Sequence, residues 1–488
     1  MFSNYNSLAF NNPYYTFDSK IKIFDSFDNC INSFPEVSLD PVAIIEFLSK
    51  GYCFGDRTMI KNVSRTPWMA QPSTNFREWQ YYDVPSHGRS NQGEINIADR
   101  LYVLLEKEIA SFCKEKGEIG ILLSGGMDSR VTAGILNNLK KKGRVSAKIT
   151  AITWGSENSR DVVYAKKIAD IFEWRWEHLT LDASNLMENI NVVSELGCEV
   201  SPIHLHAMPR VKQFTELDCI IASSFGDSMG RGVYSGRHIT NLTNNRNYIK
   251  NNFFLLRSGI YRENKNFAFT DLDDYRVKFG RENERSYLEL EQQAHYMRRM
   301  LNPCLGIINK DIPVYQTFSS PAVYGYMWSI NPEKRSNRIY SIILNKYISE
   351  LHEIPWSKTG IKYEDTGGIS DNYNRDYHSY HTWINNDLFD YLMDELGSKY
   401  LDIWSIFNRK SFNRVVQANR QLSLNRLTRM DDILVWAVSL MNMVKRYDVH
   451  IDTPVKGIVP FDGINTVLAK PYLHIYEGGL DLKRRLRK

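Results

Sequence analysis

The chain of 488 residues has no C-x-x-C pair, and its six cysteines (Cys30, Cys53, Cys113, Cys198, Cys219, Cys304) are scattered. That scatter speaks against a zinc site or a disulfide framework and fits a reducing compartment. No apolar run approaches the length that spans a bilayer, and the opening MFSNYNSLAF lacks the basic start and long apolar core of a secretory leader. Charge of one sign is also scarce. The net charge is +5, from 61 Lys and Arg against 56 Asp and Glu, too little for a nucleic-acid-binding field. The expectation is a soluble cytoplasmic protein with neither nucleic acid nor membrane as partner. Repeats and low-complexity tracts are missing. So are two familiar phosphate-binding strings: no Gly-Lys-Ser/Thr follows the glycine-rich turn described below, and that turn is not Gly-x-Gly-x-x-Gly.

What is present is ordinary globular material, 43% hydrophobic and 24% charged, enough chain for two to three domains with a sizeable core. The informative stretch is Ile119-Gly120-Ile121-Leu122-Leu123-Ser124-Gly125-Gly126-Met127-Asp128-Ser129-Arg130. Its apolar start reads as a buried parallel strand. Ser-Gly-Gly breaks the run, and Val131, Ile135 and Leu139 then recur at helical spacing. Strand, glycine turn and helix N-terminus together make an anion cradle, with free N–H groups and the positive end of the helix dipole facing outward. Asp128 sits where a phosphate would bind. A carboxylate there suits a polyphosphate bridged by magnesium.

Around this stretch the chain divides into a short N-terminal region (1–90), an α/β core (96–236) and a mostly helical remainder (237–488), with the polar 84–95 as the boundary. Pro41 to Ser49 predicts a short helix with Pro in its first turn, and 58–83 a small hairpin. Further strands are predicted at Val145–Trp154, Arg175–Leu181 and Asp218–Ser223, alternating with helices from Ile97, at Asp161–Phe172 and at Leu186–Leu196. Such alternation predicts an α/β fold with a parallel sheet covered by helices on both faces. Its ligand would lie at the carboxyl edge. A second glycine-bearing loop, Ser223-Ser224-Phe225-Gly226-Asp227, follows the fourth strand and belongs at that edge. Lys358, in Pro355-Trp356-Ser357-Lys358-Thr359-Gly360, is either a solvated loop lysine or a point charge for phosphate. Arg298 and Arg299 read as a solvated helix end, with a substrate-facing pair as the alternative, and the basic run from Lys483 to Lys488 as a solvated terminus.

At Ser124-Gly125-Gly126-Met127-Asp128-Ser129 the chain resembles the PP-loop ATP pyrophosphatases, an adenine nucleotide α-hydrolase-like fold, and within them the synthetase domain of asparagine synthetase and of β-lactam synthetase. Trp154-Gly155 with Asp161 and Ala165, Gly226-Asp227, Ile330-Asn331-Pro332-Glu333-Lys334-Arg335 and Ile354-Pro355-Trp356-Ser357-Lys358 extend the resemblance. It implies ATP as cosubstrate, Mg2+, and a carboxylate adenylated at the α-phosphate and then opened by ammonia or an amine. The nitrogen source would be free, intramolecular, or a separate glutaminase. It further implies that Leu123, Ser124, Gly125, Gly126, Met127, Asp128, Ser129, Thr153 and Gly226 hold ATP and pyrophosphate. Asp128 and Asp227 would hold the metal, and Lys358 would act with them in catalysis. Three departures stand out. Phe2 occupies the place of the glutaminase nucleophile Cys, and the N-terminal remnant is too short for a glutaminase domain. Phe225 replaces the family's second-loop Glu. Pro313-Val314-Tyr315-Gln316 replaces Pro-Phe-Leu-Asp, which points to altered substrate recognition. The resemblance thus implies an asparagine synthetase-like ligase acting on aspartate or on another small-molecule or peptide carboxylate, such as a sugar acid; the alternative is a PP-loop nucleotide-binding protein that has lost catalysis.

Overall fold

A computed structural model describes residues 12–226, 233–234, 237–238, 241–363, 370–397, 402–422, 424, 426–451 and 460–485. Its centre is a five-stranded parallel sheet: β1 (Glu118–Leu122), β2 (Lys148–Trp154), β3 (Arg175–Leu179), β4 (Cys219–Ala222) and β5 (Val314–Gln316), in the order β5-β4-β1-β2-β3. The chain runs outward from β1 to β3, then returns to the other side of β1 for β4. The reversal makes the gap between β1 and β4 a topological switch point, where loops diverge at the carboxyl edge. The sequence anticipates four of these strands. The fifth is three residues long and ends in buried Gln316, which leaves no apolar run to recognise.

Helices are α1 (Pro41–Lys50), α2 (Glu94–Phe112), α3 (Met127–Lys141), α4 (Arg160–Ile171), α5 (Ala183–Glu195), α6 (Arg338–Tyr347), α7 (Arg429–Arg446) and α8 (Pro460–Arg485), with further helices between, among them the 21-residue Ser258–Lys278. Side chains alternate across each strand, so the sheet feeds two cores. Cys219 and Ile221 of β4, with Ile119, Ile121 and Ala151, face a core shared with α2, α3, α4 and α6. Ile220, Ala222, Ile152 and Val314 face the other, shared with α5, α7 and the N-terminal region. Helices α3 and α4 follow successive strands and share one face. After the direction reverses, α5 lies on the other, as right-handed crossovers require.

The N-terminal region contributes a hairpin of Tyr14–Phe17 and Ile21–Phe24, which the sequence leaves unassigned, and the anticipated small hairpin, Ala70–Pro72 against Trp79–Tyr81. Helix α1 begins with Asp40 capping Val42 and is buried on every side, its Glu46 carboxylate accepting from the Phe54 N–H at 2.7 Å; a helix this largely apolar belongs inside a core. Phe47 stacks on Trp436 of α7 at 3.9 Å between ring centroids. Arg298 and Arg299 correct a sequence expectation: both are fully buried, not solvated. Both guanidinium groups donate to the Gly55 carbonyl, Arg298 also to Thr66, and Arg299 also to Arg57 and to the Glu199 carboxylate. These acceptors lie a hundred or more positions away in sequence, so local pattern cannot reveal them. The arginines satisfy irregular N-terminal backbone that would otherwise be stranded.

Candidate functional site

The loop from Leu123 to Gly126 leaves β1 and enters α3 with Gly126 as N-cap and no side chain capping the first turn. That leaves N–H groups of the first turn for a ligand. The Ser124 and Ser129 hydroxyls lie 3.1 Å apart; the Gly126 N–H donates to Ser124 Oγ and the Ser129 hydroxyl to the Ser124 carbonyl, both at 3.2 Å. The loop is thus braced across its own turn. Glycine is required at Gly125 by close approach: a Cβ there would lie 2.9 Å from the Arg160 carbonyl oxygen and from Ser357 Cβ. Met127 is buried beneath the loop in the core. The Thr153 hydroxyl donates to the Leu123 carbonyl at 2.9 Å and fixes the end of β2 against the loop.

Across the switch point the second loop closes on the first. Gly226 lies so near Asp128 that a Cβ would stand 2.6 Å from its Cγ and Oδ1. Ser223 donates to Thr132 of α3 at 2.8 Å, Gln316 accepts from the Ser224 N–H, and Tyr340 of α6 donates to the Gly226 carbonyl. Phe225 is fully buried in the core with α2 and α3, so position 225 presents no acid to the site. Asp227 lies outside the described residues. Among the described residues no group of three or more His, Cys, Asp or Glu could by itself hold a metal. One carboxylate at the mouth of a phosphate cradle fits magnesium whose remaining ligands are phosphate oxygens and water, and Asp128 has that position.

The segment carrying Lys358 is fastened to the first loop by Arg130, on which the sequence reading places no weight. Its buried guanidinium donates to the carbonyls of Ile354 at 2.6 Å, Pro355 at 2.7 Å and Gly125 at 3.1 Å. Burial pulls Arg130 down to about 10, so it remains a cation at neutral pH. The Ser357 N–H completes the join by donating to the Gly125 carbonyl. Asp161, at the start of α4, accepts from the Gly125 N–H and the Ser357 hydroxyl; burial nonetheless raises its carboxyl above the usual range. Lys358 itself is exposed, with its ammonium 5.1 Å from the centre of the Trp356 ring. It stands beside the cradle and is not part of the cavity wall.

In front of the cradle is a cavity of about 340 Å³. Leu123, Ser124, Gly126, Asp128, Ser129 and Thr153 line one side, joined by Asp161 and Ser224. The opposite wall is made of Trp154, His204, His206, Met208, Leu301, Cys304, Leu305 and Tyr377. The sequence gives no sign of this wall, because His204 lies in a short 3-10 turn without apolar period and His206 caps that turn with φ of 48°. Its Nδ1 lies 2.9 Å from the Tyr380 hydroxyl and its Nε2 3.3 Å from the Tyr377 hydroxyl. Burial, reinforced by His204 and His378 nearby, holds His206 down at about 3. The wall is therefore neutral and largely apolar around one hydrogen-bonded imidazole, facing a polar loop shaped for anions.

No curated protein matches the chain. Among solved structures, NMN synthetase from Francisella tularensis is similar at 11% identity over 43% of this chain and 97% of its own, with a TM-score of 0.22. The U34-tRNA thiolase NcsA from Methanococcus maripaludis is similar at 15% identity over 58% and 87%, also with a TM-score of 0.22. At these scores the sheet order and loop geometry, not the likeness, carry the fold assignment. Residues 100–212, which hold the first loop, Thr153, Asp161 and both histidines of the wall, match the model of the asparagine synthase family.

Proposed function

We propose that this protein is an ATP-dependent ligase that adenylates a carboxylate other than aspartate and converts it to an amide. The observation that supports it most is the juxtaposition, across one cavity, of the Ser124–Ser129 cradle with its Asp128 carboxylate and the neutral wall of Trp154, His206 and Tyr377. The cradle suits the β- and γ-phosphates of ATP, placed on the N–H groups of α3. Magnesium, when bound, supplies positive charge to the leaving pyrophosphate, with Asp128 and, beyond the described residues, Asp227 as its protein ligands. The acyl carboxylate occupies the space between cradle and wall. One of its oxygens bonds to the α-phosphorus as the bond to pyrophosphate breaks. The amine or ammonia nitrogen then bonds to the acyl carbon, AMP departs, and the nitrogen gives up a proton. Asp161 orients the first loop through Gly125, Arg130 holds the Ile354–Ser357 segment against it, and Lys358 offsets triphosphate charge from the rim. Positioning of this kind is worth much of the rate.

The wall favours an acyl group with an uncharged, partly aromatic or aliphatic body over a second carboxylate, which would lose its hydration against Trp154, Leu301 and Leu305 without return. The test is ATP–pyrophosphate exchange with magnesium and pools of carboxylates sorted by charge and ring content. Exchange should require a carboxylate, prefer monocarboxylates with apolar bodies over aspartate, and fall at least a hundredfold in Asp128→Ala. Exchange supported by aspartate alone would overturn the substrate class. ATP binding without exchange in any pool would overturn the ligase reading and leave a nucleotide-binding protein that has lost catalysis.

A further inference from the structure

Helix α8 is anchored on one side and bare on the other. Its inner face is fixed by buried Ala469 and Leu473, by Tyr472 and Tyr476 packed edge-on against Phe253, and by Asp462, which accepts from the Ser258 N–H at 2.9 Å and its hydroxyl at 2.6 Å. Glu477 pairs with Arg426 at 2.6 Å. The outer face carries Phe461, Ile464, Val467, Leu468, Ile475 and Leu482, each between 46% and 74% exposed. Phe461, Leu468, Ile475 and Leu482 recur every seven residues, the spacing that keeps one seam facing a partner helix. Exposed Pro471, Gly478 and Gly479 fill the same face between them. Scattered exposed apolar residues need no explanation, but a stripe of this length does.

We infer that this stripe is a homodimer interface in which α8 pairs with α8 of a second copy, antiparallel about a two-fold axis near Pro471. Two observations select a second copy. The first is size. The six side chains expose roughly 600 Å² per copy, so pairing removes about 1,200 Å² from water, the lower bound of stable specific interfaces. The second is shape. An antiparallel register centred between 471 and 472 sets Ile464 against the partner's Gly479, Leu468 against the partner's Ile475, and Phe461 against the partner's Leu482. Large side chains then meet small ones or apolar equals, and a single patch is its own complement.

The test is the mass of the full-length chain by sedimentation equilibrium over a wide concentration range. Twice the chain mass is expected, and Leu468→Glu with Ile475→Glu should return it to a single chain that still unfolds cooperatively and keeps its ATP–pyrophosphate exchange, its melting point no longer rising with protein concentration. Because both positions are exposed, loss of folding is not expected. Should it occur, cysteine cross-linking replaces that variant. L468C mixed with I475C should give the mixed disulfide in at least tenfold excess over either symmetric one. A single-chain mass at every concentration, an excess of the symmetric disulfide between two L468C chains, or sedimentation of monomer with anionic phosphatidylserine vesicles would each overturn the inference.

Discussion

Replacing Arg130 by Met would test the join between the two halves of the site. The substitution keeps a long, flexible apolar stem and removes three donors. The carbonyls of Ile354 and Pro355 are stranded, while that of Gly125 keeps the Ser357 N–H. A stranded buried acceptor costs about 1–3 kcal/mol, so two together set a scale of roughly 4 kcal/mol. Against this stands relief. Burial has moved the guanidinium from its ordinary range to about 10, a penalty on the cation of about 3 kcal/mol that Met does not carry. The net expectation is a loss of about 1 kcal/mol, read from the urea midpoint followed by tryptophan fluorescence. Activity should fall further than stability. Ile354 and Pro355 lead directly to Ser357, whose N–H meets the Gly125 carbonyl, and a drift of about 1 Å at a positioning segment costs on the order of a hundredfold in rate. Arg130→Lys keeps the charge but not the fork, and should fall between wild type and Arg130→Met. If Arg130→Met left the midpoint within about 0.5 kcal/mol and exchange unchanged, the claim that this cation holds the site together would be wrong.

Gly226→Ala puts a methyl group 2.6 Å from the Asp128 carboxylate and should depress exchange about a hundredfold, with magnesium dependence shifted to higher concentration, as a metal titration of the rate would show. Phe225→Glu should not restore an acid to the site. Phe225 is fully buried among apolar neighbours, so thermal unfolding should move down steeply and exchange should not rise; a gain in rate would show that position 225 reaches the cavity. Acid should destabilise the protein through its site histidines. His206 is held at about 3 by burial, with His204 and His378 also lowered. Between the unfolded value near 6.5 and the folded value the unfolded chain binds more protons, so stability falls as pH drops through that window. His206→Gln should flatten the dependence of the urea midpoint on pH between 7 and 5; an unchanged slope would place the acid sensitivity elsewhere.

Legibility followed burial. Parallel strands buried on both faces read as continuous apolar runs, which is why β1, β2 and β4 and the cradle between β1 and α3 were visible in the sequence. The N-terminal hairpin was not, since Tyr14, Thr16 and Ile21 are buried while Phe17 stands 58% exposed, which blurs alternation over four-residue strands. Arg130 stands in the informative stretch and Asp161 in the extended resemblance, but both were silent as to role, because the Ile354–Ser357 segment they join to Gly125 arrives some two hundred residues later. The histidine wall was hidden for a related reason. His206 takes its partners from Tyr377 and Tyr380, and only the fold brings these to the end of β2.

The stacking of Phe47 on Trp436 has a consequence for how the chain is made. Helix α1 is among the first elements synthesised and is largely apolar, yet the surface it packs against includes α7, some 390 positions later. At about 5–20 residues per second, Ile44, Ile45, Phe47 and Leu48 wait roughly 20–80 s for that cover. During this interval the nascent chain displays a greasy segment that must be shielded by its own α/β core or by a chaperone. Expression should therefore respond more to translation speed and chaperone supply than the stability of the finished protein would suggest.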